Sequence, residues 1–215
     1  MGTARRVRFD GWIAGLGTAA GLRLVVGYWP LSPLGSFADV MVERADGRRL
    51  LLAPSERVAH FVAATYRFDE IVVCPVAVAP GRDQWAVTAG PLRATFTPGR
   101  STPLGRLLRL VPGRLAARPG WATLCDVPAR LLLPGVRTRG SAGEGRREWY
   151  AARDLRTVTS ARVAWDGEDL GGLTSVEPPV RFGFGSVPRR PSLTRVVTTV
   201  ELAEDEEAKW PPRHG

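Results

Sequence analysis

FADVMVERADGRRLLLA, residues 37–53, alternates along its first half and turns at its centre. Phe37, Asp39, Met41 and Glu43 fall on one face of an extended chain, and Ala38, Val40, Val42 and Arg44 on the other. Asp46-Gly47 then sits between two strand-like runs, the strongest short-range signal for a β-hairpin. Two carboxylates on the Phe37/Met41 face are costly to bury unless they are paired or used. Asp39 and Glu43 are therefore candidate acid/base residues.

Outward from this hairpin the chain keeps a β character. Residues 22–29 (LRLVVGYW) read as the preceding strand, and the arginine-rich start leads into a first strand of the fold. Pro54-Ser55 follows the hairpin, and Ser55 caps a helix reaching about Tyr66, with Val58, Phe61, Val62 and Thr65 on one face. Residues 70–79 (EIVVCPVAVA) read as a buried strand interrupted by Pro75 at an edge or bulge. Residues 84–89 and 92–97 form a second hairpin around Gly90-Pro91. Thr102-Pro103 opens a helix to Val111, and a second helical piece covers 113–118. Residues 147–152, 155–165, 180–184 and 193–202 read as further strands, and 140–145 (GSAGEG) as a flexible tip. Helices do not alternate with strands, so the predicted fold is α+β and mainly antiparallel: a barrel-like or sandwich sheet with two or three short helices.

The chain has 215 residues, 44% of them hydrophobic, enough for one sizeable core. We expect one globular domain over 1–202 and a disordered acidic, Pro-rich tail over 203–215. No apolar run approaches the roughly 18 residues that a membrane-spanning helix needs. Cys74 and Cys125 are the two cysteines and His60 and His214 the two histidines, which argues against a disulfide scaffold and against a metal centre. No cofactor is expected. Asp10 and Arg23 interrupt the segment after Arg5-Arg6, so a twin-arginine export signal does not fit and the expected location is cytoplasmic.

The formal net charge is +9. All basic residues but Lys209 are arginine, the pattern a high-GC genome produces, and a catalytic Schiff-base lysine has no candidate outside the acidic tail. A field of this sign attracts anions, from small phosphates and carboxylates to nucleic acid. No aromatic RNA-binding signature accompanies it, so a nucleic-acid partner rests on charge alone.

Several local patterns bear on chemistry. GLGTAAG at 15–21 resembles a dinucleotide loop, but a strand follows it where a helix is required, so it reads as a turn. His60 is a third acid/base candidate, since histidine serves that role near neutral pH. Both cysteines read as small core residues. The arginine- and leucine-rich run 106–118 is broken by Pro112-Gly113 and reads as a solvated face over a packed stripe. The C-terminal third offers a binding constellation. Trp149, Tyr150, Phe182 and Phe184 supply apolar walls, with Phe182 and Phe184 on one face of a strand. Arg181, Arg189 and Arg190 supply guanidinium forks for an acid group.

The runs at 29–47, 133–155 and 178–192 resemble proteins of high-GC bacteria, a resemblance that implies no activity. Ser32-Pro33-Leu34-Gly35-Ser36-Phe37, entering a long strand, is similar to the acetoacetate decarboxylase-like barrel proteins. That similarity implies a β-barrel; the family's catalytic lysine has no counterpart here, so its chemistry is not implied.

These readings converge on a β-barrel-like domain that binds a small anionic or amphipathic molecule in a cavity. The alternatives are an enzyme using acid/base residues in the same cavity, and a basic interaction or nucleic-acid-binding protein. Oligomeric state is not legible.

Overall fold

The computed structural model describes residues 5–111, 139–141, 146–183 and 187–202. Among them the chain runs β1 (Arg6–Thr18), β2 (Arg23–Leu31), β3 (Phe37–Glu43), β4 (Arg49–Ala53), α1 (Glu56–Ala63), β5 (Glu70–Val73), β6 (Val76–Ala79), β7 (Trp85–Ala89), β8 (Leu92–Ser101) and α2 (Pro103–Arg109). It continues with β9 (Arg139–Ser141), β10 (Arg147–Trp165), β11 (Glu168–Asp169), β12 (Leu173–Thr174) and β13 (Ser192–Glu201). This is the expected α+β class: a mostly antiparallel sheet that curls into a half-barrel, with two short helices among the described residues.

The main path through the sheet is β5-β4-β3-β2-β1-β13-β10-β8-β7-β6. The Asp46-Gly47 turn forms as predicted, with Gly47 at φ +87°, and pairs Val40–Glu43 with Leu52–Arg49. Ser55 caps α1 by accepting from the Val58 N–H, and Thr102 caps α2 by accepting from Gly105. α1 is shorter than predicted: both Thr65 and Tyr66 donate to the Val62 carbonyl, and the chain leaves the helix there.

Residues 70–79 are a correction. They form two strands, not one, and both are half-buried to exposed. β5 runs parallel to β4 at one end of the sheet, while β6 pairs with β7 at the other. Only Cys74 and Pro75 separate them, with the Cys74 N–H held by the Ala53 carbonyl at 2.9 Å. Pro75 has no N–H to offer a ladder, so the pairing changes partner there. The two ends of the sheet thus meet, and β6 lies against β3.

Two further expectations are revised. Residues 147–165 are one strand, because bulges at 152–154 and 156–160 absorb the irregularities without ending it. Residues 180–183 are not a strand. The Arg181 N–H, a ladder donor in the expected strand, instead donates to the Glu43 carboxylate at 2.7 Å. The predicted helical piece at 113–118, Cys125, most of the 140–145 tip and the tail from 203 lie outside the described residues.

Strands β1–β4 bury both faces against two different cores. One joins Leu16, Leu24, Val40 and Leu52 to Trp85, Val87, Leu92 and Phe96 of β7 and β8. Because it links strands from opposite ends of the order, this core is the one enclosed by the curl. The other carries Phe9, Val25, Trp29, Met41 and Leu51, and is covered by Val58, Phe61 and Val62 of α1 and by Val176, Phe182 and Val187. Each such side chain, fully buried, stabilises the fold by about 1.5–3 kcal/mol. The second core is incompletely filled.

Candidate functional site

A cavity of about 50 Å³ lies between α1 and the sheet face that the helix covers. The period of two brings one set of alternate residues from each strand to it: Phe9 and Ile13 from β1, Val25, Gly27 and Trp29 from β2, Phe37, Asp39 and Met41 from β3. Glu148 and Tyr150 of β10 and Thr198 and Val200 of β13 close the far side, and Thr65 and Tyr66 descend from the end of α1. At about 10–15 Å³ per water, this volume holds roughly three to five waters, or a ligand with a similar number of heavy atoms.

The lining is mainly aromatic and aliphatic, with polar groups at defined points. Asp39 is 4% exposed and accepts from the Trp29 indole N–H at 3.0 Å. Gly27 makes that contact feasible. It pairs with Asp39 across the ladder, and a Cβ there would stand 2.5 Å from Asp39 Oδ1 and 2.6 Å from Trp29 Nε1. Opposite, the Tyr66 hydroxyl donates to Glu148 Oε2 at 3.1 Å and also contacts the Tyr150 hydroxyl. Arg146 is buried behind Glu148, donating to the Phe61 carbonyl at 2.8 Å and Thr65 Oγ1 at 2.9 Å, with its guanidinium 4.7 Å from the Phe61 ring centre.

Burial dominates the electrostatics. It pushes Asp39 up to about 7 against the Trp29 hydrogen bond, which favours the anion. It also pushes Glu148 up to about 7, against hydrogen bonds from Tyr66 and Tyr150 and the charge of Arg146, while Asp39 adds to the rise. Both tyrosines are raised well above their ordinary value, first by burial and then by the Glu148 charge. Two carboxyl groups poised near neutrality in one apolar cavity can exchange protons with a ligand or bind a charge that compensates theirs.

Thr198 adds a different kind of signal. It is 2% exposed and lines the cavity, and its Oγ1 has no hydrogen-bond partner among the described residues. Buried hydroxyls are nearly always satisfied, so this one needs an explanation.

Comparison with family models finds no match, and comparison with curated proteins finds none either. Among solved structures, acetoacetate decarboxylase from Legionella pneumophila subsp. pneumophila str. Philadelphia 1 is similar over 91% of this chain and 85% of that one, at 10% identity and a TM-score of 0.43. An AttH protein from Nitrosomonas europaea is similar over 91% of this chain, at 14% identity and a TM-score of 0.34; this chain spans 50% of its length. No residue and no activity is carried over from either. The chain's one lysine, Lys209, lies outside the described residues.

The residues singled out from the sequence divide as follows. Asp39 and Tyr150 line the cavity together. Glu43 shares Asp39's strand face and is fully buried, but it is a paired charge beside the cavity. Arg23 Nη2 lies 3.3 Å and Arg181 Nε 3.0 Å from its Oε1. His60 is exposed on the outer side of α1. Trp149 points to the opposite face from Glu148 and Tyr150, beneath the Arg6 guanidinium at 5.5 Å. Phe182 is buried against Phe68, 5.7 Å between ring centres, and does not line the cavity. Arg189 binds Glu177 at 2.9 Å and Arg190 is exposed; Phe184 lies outside the described residues. Glu148, Tyr66, Trp29, Arg146 and Thr198 were not expected as site residues. For Glu148 a signal existed, since it sits two residues from Tyr150 on one strand face.

Proposed function

We propose that the protein binds a small amphipathic molecule in the cavity beneath α1, with its apolar body against Phe9, Phe37 and Met41 and its polar end toward Asp39, Glu148 and Thr198. The observation that carries this reading is an apolar cavity lined by Asp39, Glu148 and Thr198, the last with a buried hydroxyl that has no partner among the described residues. Of the two ligand chemistries that the sequence suggested, the anionic one suits the site poorly. No arginine lines the cavity among the described residues, while two carboxyl groups do.

A ligand of about five heavy atoms, at no more than about 1.5 kcal/mol per atom, binds with micromolar affinity at the tightest. The test is therefore a titration. Saturation-transfer NMR with tert-butanol at millimolar concentration should show contact with the wild-type protein and a several-fold loss in Met41→Trp, which fills the cavity. Equal signals from both proteins, or none from either, would overturn the reading.

A second reading is favoured by Asp39 and Glu148 both standing near 7. Acid/base catalysis in the same cavity would use one as the proton acceptor and the other, with Tyr66, as the donor. Its sign would be turnover with a pH optimum near neutrality that Asp39→Asn and Glu148→Gln each abolish.

A further inference from the structure

The aromatic part of the cavity wall is a connected group. Phe9 packs edge-on against Trp29 at 6.0 Å and Phe37 at 6.3 Å, and lies 4.9 Å from Phe61. Ring faces attract cations through their quadrupoles, most strongly where water is excluded. Two carboxyl groups, Asp39 and Glu148, stand at the edge of this aromatic group. Asp39 makes no ion pair among the described residues, unlike Glu43, also buried, which is held by Arg23 and Arg181.

We infer that the molecule bound under α1 is a small alkylammonium cation, with its methyl or methylene groups against Phe9, Trp29, Phe37 and Phe61 and its charge balanced by Asp39 and Glu148. This deepens the binding reading above and rests on it. Three separate features agree: the aromatic wall, the acids without a basic side chain lining the cavity, and the unpartnered Thr198 oxygen, which can accept a hydrogen bond from a primary or secondary ammonium. Occupation by the cation favours ionised carboxyls, so binding releases protons and tightens as pH rises. The groups that face Asp39 across the site are Trp29 from β2, Tyr66 beyond α1, and Glu148 and Tyr150 from β10, with Arg146 behind Glu148. Burial pushes Asp39 and Glu148 up to about 7 and both tyrosines well above their ordinary value.

Tetramethylammonium and tert-butanol are matched probes, each with five heavy atoms, one permanently charged and one neutral. NMR titrations at pH 8.5 and 5.5 should show tetramethylammonium binding about tenfold tighter than tert-butanol at the higher pH, a difference of about 1.4 kcal/mol. The advantage should shrink severalfold at the lower pH. Asp39→Asn with Glu148→Gln should abolish the preference, bringing the ratio of the two affinities to about one. Equal binding of the two probes at pH 8.5, or a preference that survives the double substitution, would overturn the cation assignment alone. Absence of binding by both probes would overturn it together with the binding reading beneath it.

Discussion

The indole nitrogen of Trp29 donates to Oδ1 of Asp39 at 3.0 Å, reaching diagonally across two neighbouring strands over a glycine. This one hydrogen bond stands against the burial of a carboxyl group without a cationic partner among the described residues, and the balance still leaves that group at about 7.

Stability should therefore fall as pH rises through neutrality. Asp39 and Glu148 bind their protons more tightly in the folded state than in the unfolded chain, where they titrate at about 3.8 and 4.5. Folding is then favoured below those values, and the advantage is lost as pH climbs to about 7. The upper limit is about 4 kcal/mol for Asp39 and about 3 kcal/mol for Glu148. Asp69 acts in the opposite sense, because its contacts with Arg49 hold its pKa down, but that contribution is lost only in acid. Urea midpoints between pH 5 and 8.5 should decline in the wild type and flatten in Asp39→Asn and Glu148→Gln. A flat wild-type profile would contradict the burial of these two acids.

Thr198→Val should raise stability by about 1 kcal/mol, since it removes a buried hydroxyl that has no partner among the described residues. A lower melting temperature would mean that the hydroxyl is satisfied in solution.

Gly27→Ala should separate the Trp29–Asp39 pair, because the added carbon overlaps both atoms of the hydrogen bond. We expect a loss of about 1–3 kcal/mol and a shift in tryptophan fluorescence. A neutral substitution would show that this corner of the sheet moves apart easily.

Glu43→Ala should cost about 3–5 kcal/mol, the usual consequence of stranding a buried charge, here Arg23. It also removes the two hydrogen bonds that Arg181 donates to Glu43, from its N–H and its Nε, and leaves, among the described residues, only the Arg49 contact to its carbonyl. Trypsin cleavage after Arg181 should accelerate at temperatures where the rest of the chain stays folded. Unchanged unfolding and proteolysis would place the anchoring of this segment elsewhere.

Much of the fold was legible because its signals are local. Asp46-Gly47, Ser55 and Thr102-Pro103 fix a turn and two helix starts through their own backbone preferences, and alternation alone put Asp39 and Glu43 on one face. Which of those two acids has a cationic partner was not legible. Glu43 is claimed by Arg23 on the adjacent strand and by Arg181, 138 residues away, and no periodicity encodes that. The Tyr66–Glu148 contact likewise spans 82 residues, joining the end of a helix to the start of a long strand. Residues 70–79 misled because apolar side chains around a proline look like one interrupted strand, whereas the partners on either side of Pro75 belong to opposite ends of the sheet.

That arrangement at Cys74-Pro75 makes the backbone itself a tether. Val73 pairs at one end of the strand order and Val76 at the other, and three residue steps reach about 11 Å at most. While both end ladders persist, the rims of the curled sheet stay within that distance, however loosely the side chains between them pack. Swelling of the molecule must then run along the strands or lift α1 away. Cleaving the chain at this point would break no rung of any ladder, yet would leave the closure to side-chain contacts alone.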